Sequence, residues 1–205
     1  MRGRFITIEG GEGAGKSTIM RFVSDWLEEQ GRTVVATREP GGTSLAEGLR
    51  AMVLDAETVG LSDTAELLLM FAARAQHLRE LIEPELASGH DVICDRFTDA
   101  TYAYQGGGRQ LDPETIAALE AIVHPQLQPD LTLLLDLPVK QGLKRASKRS
   151  IPDRIEREGS EFFERVRNAY LQRAGQYPDR IVVIDASHRL SRVVTEVRRV
   201  LERRL

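Results

Sequence analysis

The residues best equipped for chemistry stand together near the start of the chain, in Gly10-Gly11-Glu12-Gly13-Ala14-Gly15-Lys16-Ser17, followed by Thr18. The spacing G-x-x-x-x-G-K-S suits a phosphate. Glycines let backbone N–H groups wrap an anion, the lysine reaches β- and γ-phosphates, and the serine hydroxyl can ligate Mg²⁺. The flanks agree. An apolar run, Phe5-Ile6-Thr7-Ile8, delivers the chain to the loop, and an amphipathic segment from Lys16 to Glu29 leaves it. A helix starting there points the positive end of its dipole at the ligand.

Two further groups of charged residues sit where ligands collect in open α/β sheets, just beyond the carboxyl ends of strands. Arg38-Glu39-Pro40-Gly41-Gly42-Thr43 follows a β-branched stretch at 33–38, and Asp95-Arg96-Phe97 ends the apolar run Asp91–Asp95. For Arg38 and Glu39 a solvated turn is an equal alternative. A charged pair ending a central strand is harder to explain structurally, and a carboxylate such as Asp95 is well placed to hold Mg²⁺ or its water. The basic stretch 140–157 carries Lys144, Arg145, Lys148, Arg149, Arg154 and Arg157. It reads as a solvated face or as a lid that brings arginines over a transferring phosphate.

The elements that must position these groups follow from periodicity. Strands are expected at Phe5–Glu9, 33–38, Asp91–Asp95, Leu131–Asp136 and Ile181–Asp185, alternating with amphipathic helices. Parallel strands need helical crossovers, so the fold class is α/β: a phosphate-loop, doubly wound, five-stranded parallel sheet flanked by helices, with a basic lid at about 140–158. Ser44-Leu45-Ala46-Glu47 has capping-box spacing. Residues 67–71 are apolar on nearly every side, which implies burial on several faces or a subunit interface. Residues 98–110 mix rings, amides and hydroxyls suited to a small polar ring.

With 205 residues and no Pro- or Ser-rich linker, one domain spanning 1–205 is expected. The net charge of −3 argues against a general nucleic-acid binder. The absence of a leader or a long apolar span predicts a cytoplasmic protein without membrane contact. Cys94, the lone cysteine, sits in an apolar run and reads as a buried small side chain. The four histidines show no metal-ligand spacing.

A phosphate loop alone indicates a nucleotide, and a GTPase switch or a non-catalytic nucleotide-binding regulator competes with a kinase. The Asn-Lys-x-Asp guanine motif is absent, because the only asparagine, Asn168, precedes Ala169. Taken in order, the acid-containing loop at Glu12, Arg38 to Thr43, the helix carrying Arg74, Asp95-Arg96-Phe97, Thr101 to Gly107 and Asp153-Arg154-Ile155-Glu156 resemble the thymidylate kinase family across essentially the whole chain.

The resemblance implies transfer of a phosphoryl group from ATP to dTMP with Mg²⁺, in a homodimer formed through helices including residues 67–71. Gly10 through Thr18, among them Gly11, Glu12, Gly13, Ala14 and Gly15, would surround the ATP phosphates. Lys16 and a lid arginine, Arg149 or Arg154, would stabilise the transferring group together with Arg96. Ser17 and Asp95 would hold the metal. Arg38 and Arg96 would hold the dTMP phosphate, Arg74 the thymine, and Thr101 and Gln105 its other edge, with Pro40 also among the substrate-binding residues. Phe97 and Tyr104 would pack near the sugar, and Glu9 would approach its 3′-hydroxyl or a metal-bound water. Another nucleoside monophosphate kinase would differ at Phe71, Arg74, Thr101, Tyr104 and Gln105. The family often has Phe four residues before the thymine-reading Arg. That position is Met70 here, which leaves Phe71 as the candidate ring and Met70 as the alternative contact.

Overall fold

The computed structural model of the chain describes residues 2–55, 57–58, 60–147 and 153–205. Arg149 and Lys148 of the basic stretch lie outside the described residues. The order of elements is β1 (Phe5–Glu9), α1 (Lys16–Glu29), β2 (Val34–Arg38), α2 (Ser44–Leu54), α3 (Asp63–His77), α4 (Glu83–Ala87), β3 (Asp91–Asp95), α5 (Thr98–Thr101), α6 (Pro113–Val123), β4 (Leu131–Asp136), α7 (Val139–Ala146), α8 (Ser160–Gln176), β5 (Ile181–Asp185) and α9 (Leu190–Arg204). All neighbouring strands pair in parallel, in the order β2-β3-β1-β4-β5. The chain leaves β1 toward β2, returns to β3 beside β1, then crosses to β4 on the other flank. That reversal of direction around β1 opens a crevice at its carboxyl end, where the glycine loop begins.

The central strand is apolar because both of its faces are covered. Phe5, Ile6 and Ile8 are fully buried, each contributing roughly 1.5–3 kcal/mol of transfer free energy. Ile6 and Ile8 join Ile19, Val23 and Leu27 of α1 and Val193, Val197 and Leu201 of α9 in one core. Phe5 packs on the other side with Leu78, Ile82, Val92 and Phe97. A charge at Ile8 would be stranded in this core and would dismantle the base on which the loop stands.

Local signals set the element ends. The cap of α2 is Thr43, one residue before the expected Ser44; its hydroxyl accepts from Ala46 N–H, while Glu47 turns back to Gly42 N–H at 2.9 Å. Asp112 caps α6 ahead of Pro113. Residues 98–110, read from sequence only as a polar and aromatic stretch, form α5 and then a π-helical segment, Tyr102–Gly108. Such wide turns recur at functional sites because they re-aim side chains.

The apolar run 67–71 is largely buried within its own subunit, the first of its two expected explanations. Leu67 and Phe71 pack against Ile116 of α6, and Leu68 alone of the run is exposed. Among the described residues no helix is long and apolar enough to cross a membrane.

Candidate active site

At the carboxyl end of the sheet a cleft of about 250 Å³ is lined by the loop from Glu12 to Ser17, by Asp95 and Arg96 after β3, and by Glu39 and Pro40 after β2. Met70, Tyr104 and Gln105 add a mixed apolar and amide wall, and Asp153, Ile155 and Glu156 close the remaining side. Among the described residues three cations face it: Lys16, Arg96 and Arg50.

The loop is built for an anion. Gly15 precedes α1 with φ 95°, a left-handed conformation open to glycine, and α1 has no side-chain cap, unlike α2, α3 and α6. Its amino end is therefore left to a ligand. Gly13 lies against α7 so closely that a Cβ would come 2.2 Å from the Gly142 carbonyl oxygen. Lys16 Nζ donates only long hydrogen bonds, 3.3 and 3.4 Å, to the carbonyls of Gly10 and Gly11. Burial and the nearby Arg96 charge lower its pKa, partly offset by Asp95 and Glu12. An ammonium so weakly satisfied is poised for a stronger acceptor.

Arg96 adopts φ 71°, a strained conformation for a side-chain-bearing residue, costing on the order of 1–3 kcal/mol. The strain sets its guanidinium in the cleft. There it donates to Glu12 at 2.7 Å and to Tyr170 Oη at 3.3 Å, over the ring of Tyr104 at 4.6 Å. Burial would raise the Glu12 pKa, yet Arg96 and Lys16 hold it down to about 2. Asp95 Oδ1 is buried with no hydrogen-bond partner, an orphan oxygen of the kind a hydrated cation satisfies. Together with the Ser17 hydroxyl in the same cleft it fits a divalent metal carried mainly by phosphates and water. Among the described residues no cluster of three acidic, histidine or cysteine ligands offers a protein-only alternative.

Behind the wall, Arg74 is 1% exposed. Its Nε donates to Glu39 at 2.7 Å and its Nη2 to Thr101 at 3.0 Å, leaving Nη1 without a partner. Glu39 is itself braced by His77, whose Nε2 meets Thr37 at 2.7 Å. Glu39 stays ionised against its burial because Arg74 and His77 lower its pKa.

Several expected site residues lie elsewhere. Glu9 is fully buried, accepting from Phe97 N–H and the Tyr170 hydroxyl, both at 2.7 Å. It is not a cleft residue; among the described residues the acids lining the ligand space are Glu12, Glu39, Asp95, Asp153 and Glu156. Phe97 sits in the core edge-on to Phe5, and Phe71 packs on Leu67 and Ile116 beneath the Arg74 guanidinium, at 4.9 Å. The cleft contact on α3 is Met70. Arg38, at the end of the edge strand, is about half exposed and pairs with Glu47 at 2.8 Å. Thr101 braces Arg74 without lining the cleft, and Thr18 is exposed one residue past it. Gly10 and Gly11 border a small apolar cavity behind the loop, next to Leu135 and Phe163.

The 153–156 turn caps itself, with Asp153 accepting from the N–H groups of Ile155 and Glu156 at 2.9 and 2.8 Å. Its Arg154 turns away from the cleft to the Val53 carbonyl at 2.8 Å and to Glu66. The sequence reading missed Arg50, Leu54 and Ala100 of the cleft lining, of which Arg50 carries a charge. It donates to the Pro40 carbonyl at 2.7 Å. The signal was available: Arg50 stands four residues after buried Ala46 and three before buried Val53, on the inward face of α2.

Glu9 gives a pH signature. Burial first, then the charge of Asp99, pushes its carboxyl up to about 8, opposed by Tyr170, Arg96 and Phe97 N–H. Between about pH 4.5 and 8 the folded chain therefore holds a proton that the unfolded chain has lost, and stability falls as pH rises. Glu9→Gln removes this slope. In urea melts from pH 5 to 8, wild type is expected to lose about 2–4 kcal/mol relative to the variant. Parallel curves would contradict the assignment.

A strand, a glycine loop and a helix around an orphaned carboxylate and the cations Lys16, Arg96 and Arg50 define a phosphate-loop α/β protein of the phosphoryl-transfer class. The thymidylate kinase family model matches residues 8–197, and the chain belongs to that family. Curated thymidylate kinases of Chromohalobacter salexigens (58% identical over 205 residues, covering 99% of this chain and 97% of that one) and Pseudomonas entomophila (58% over 193 residues, 94% and 92%) are similar throughout. A crystal structure of thymidylate kinase from Ehrlichia chaffeensis superposes with a TM-score of 0.80 at 34% identity, covering 98% of this chain and 99% of that one.

Proposed function

We propose that this chain transfers the γ-phosphoryl group of ATP to the phosphate of dTMP, giving ADP and dTDP for dTTP synthesis. The observation that carries the acceptor assignment is a pair of buried, unpartnered groups beside the cleft: the Arg74 Nη1 donor and the Gln105 Oε1 acceptor. A thymine offers the complement, an acceptor at O4 and a donor at N3, whereas cytosine reverses both. Met70 and Tyr104 supply apolar wall for the ring and sugar.

Phosphoryl transfer asks for in-line placement and charge neutralisation rather than a covalent intermediate. The N–H groups of residues 13–17 cradle the ATP phosphates, and Lys16 exchanges its long carbonyl contacts for phosphate oxygens. Arg96 holds the acceptor phosphate from the opposite side, with Arg50 beside Pro40 adding charge. Glu12 keeps the Arg96 fork fixed until the substrate arrives and faces the sugar. Ser17 and Asp95 would hold Mg²⁺, which when bound would offset charge on the donor phosphates. Arg149 and Arg154 belong to the lid segment; Arg154 reaches the cleft only by leaving Glu66.

The reading takes residues 1–205 as one cytoplasmic kinase domain that acts as a homodimer. Its support for dimerisation is exposed apolar side chains on three helices, with Leu68 of α3 52% exposed, Met52 of α2 58% and Ile122 of α6 76%. Leu68→Glu is expected to convert a dimer of 22.9 kDa chains into monomer in sedimentation velocity. A wild type that is monomeric at micromolar concentration would remove the proposal.

A coupled ADP-release assay against dTMP, dUMP, UMP, CMP, AMP and GMP tests the function. Highest kcat/KM with dTMP is expected. No turnover with any monophosphate would leave a nucleotide-binding regulator, and preference for another base would change the acceptor.

A further inference from the structure

Glu66 lies in the first turn of α3, 1% exposed and outside the cleft lining. It accepts from Gln105 Nε2 at 2.7 Å on one oxygen and from Arg154 on the other, with Arg109 Nε at 3.3 and 3.4 Å from the pair. Its burial would favour the neutral acid, but the hydrogen bonds from Gln105 and Arg154 and the charge of Arg109 lower its pKa. An ionised carboxylate can only accept. An amide has one donor end and one acceptor end, so the Gln105 amide has a single orientation that satisfies Glu66. Its nitrogen faces Glu66, and its oxygen is the group left buried without a partner on a residue that lines the cleft.

We propose that Glu66, without touching a ligand, is a positioning residue that sets the preference for keto over amino pyrimidines by locking the Gln105 amide with its oxygen free. The inference rests on the dTMP reading and adds the source of its base selectivity. With Gln105 Oε1 as the only free end, a base that presents a donor at N3 is paired, and a base that presents a bare N3 sets two acceptors against each other in a buried site. Without an acceptor-only neighbour the amide could turn over and offer Nε2 to cytosine N3. Arg74 Nη1 would still disfavour the cytosine amino group, so selectivity weakens without reversing.

The test measures kcat/KM for dTMP and dCMP in wild type, Glu66→Gln and the exchange variant E66Q/Q105E. The amide introduced by E66Q can donate or accept, so it frees the neighbouring Gln105 amide, and the dTMP:dCMP ratio is expected to fall about tenfold or more. Both constants also change by a common factor, because Arg154 loses its carboxylate partner, and the ratio cancels that change. The exchange variant restores a carboxylate–amide pair with the acceptor-only group at position 105, so its ratio should return to the wild-type value. A ratio within twofold of wild type in E66Q, with both constants falling together, would show a merely structural residue and overturn the proposal. If E66Q does not fold, Glu66→Met takes its place, since it too removes the acceptor-only partner of the Gln105 amide: a ratio about tenfold lower than wild type supports the lock, and one within twofold overturns it. A wild type that does not favour dTMP would instead defeat the underlying functional reading.

Discussion

Replacing Lys16 by alanine is expected to lower kcat by roughly 10³-fold while leaving the fold intact. The magnitude is that of losing one preorganised charge aimed at a developing transition-state anion. The geometry explains why turnover should suffer more than folding. Lys16 makes only two weak contacts, at 3.3 and 3.4 Å, to carbonyls of its own loop, so little native structure depends on it. Its lowered pKa, from burial and then from Arg96, means the site holds the ammonium at a cost that phosphate oxygens would relieve. Steady-state kinetics with a thermal melt checks both halves. Turnover within tenfold of wild type would refute the role, and a melting point many degrees lower would make Lys16 a structural residue.

Arg96→Ala should be the second large effect, acting on the other half of the site. We expect kcat/KM for dTMP to fall about 10³-fold, with a clear rise in KM for dTMP and little change in KM for ATP. Arg96 bridges Glu12, Tyr170 and Tyr104, so its removal leaves an acid in the cleft that repels the acceptor phosphate. Arg96→Lys should recover only part of the loss, because a point charge cannot replace a planar fork. A rise confined to the KM for ATP would move Arg96 to the donor side and contradict the assignment. The two variants thus separate donor and acceptor halves that meet at Glu12.

How much of this was legible in the sequence depended on whether a residue's role is set locally. The strand–loop–helix at Phe5 to Glu29 needs only glycine conformation and helix periodicity, and it stands where expected. The same holds for Asp95-Arg96, since a parallel strand's carboxyl end meets the crevice wherever the strand lies in the sheet.

Side-chain direction at strand ends was not legible. Glu9 and Glu12 are three residues apart, and only the β1–β3 pairing, with Ile8 opposite Asp95, brings Phe97 N–H onto Glu9 and leaves Glu12 for the cleft. Arg38 and Glu39 show the same effect. β2 is an edge strand, so Arg38 faces solvent and Glu39 turns inward to Arg74. On α3, Met70 and Phe71 differ by about 100° of helical rotation. Which one reaches the cleft depends on α6, whose Ile116 claims Phe71. Tertiary packing also hid the π-helical turn that carries Tyr104 and Gln105, because a widened turn leaves no periodic trace.

The central claim is that one cleft joins ATP to a thymine nucleotide and moves a phosphoryl group between them. The most direct measurement incubates the protein with ATP, dTMP and Mg²⁺ and resolves all nucleotides by ion-exchange chromatography over time. The account predicts one dTDP formed for each ADP, with no free phosphate. ADP and phosphate accumulating without dTDP, or no consumption of ATP at all, would contradict it.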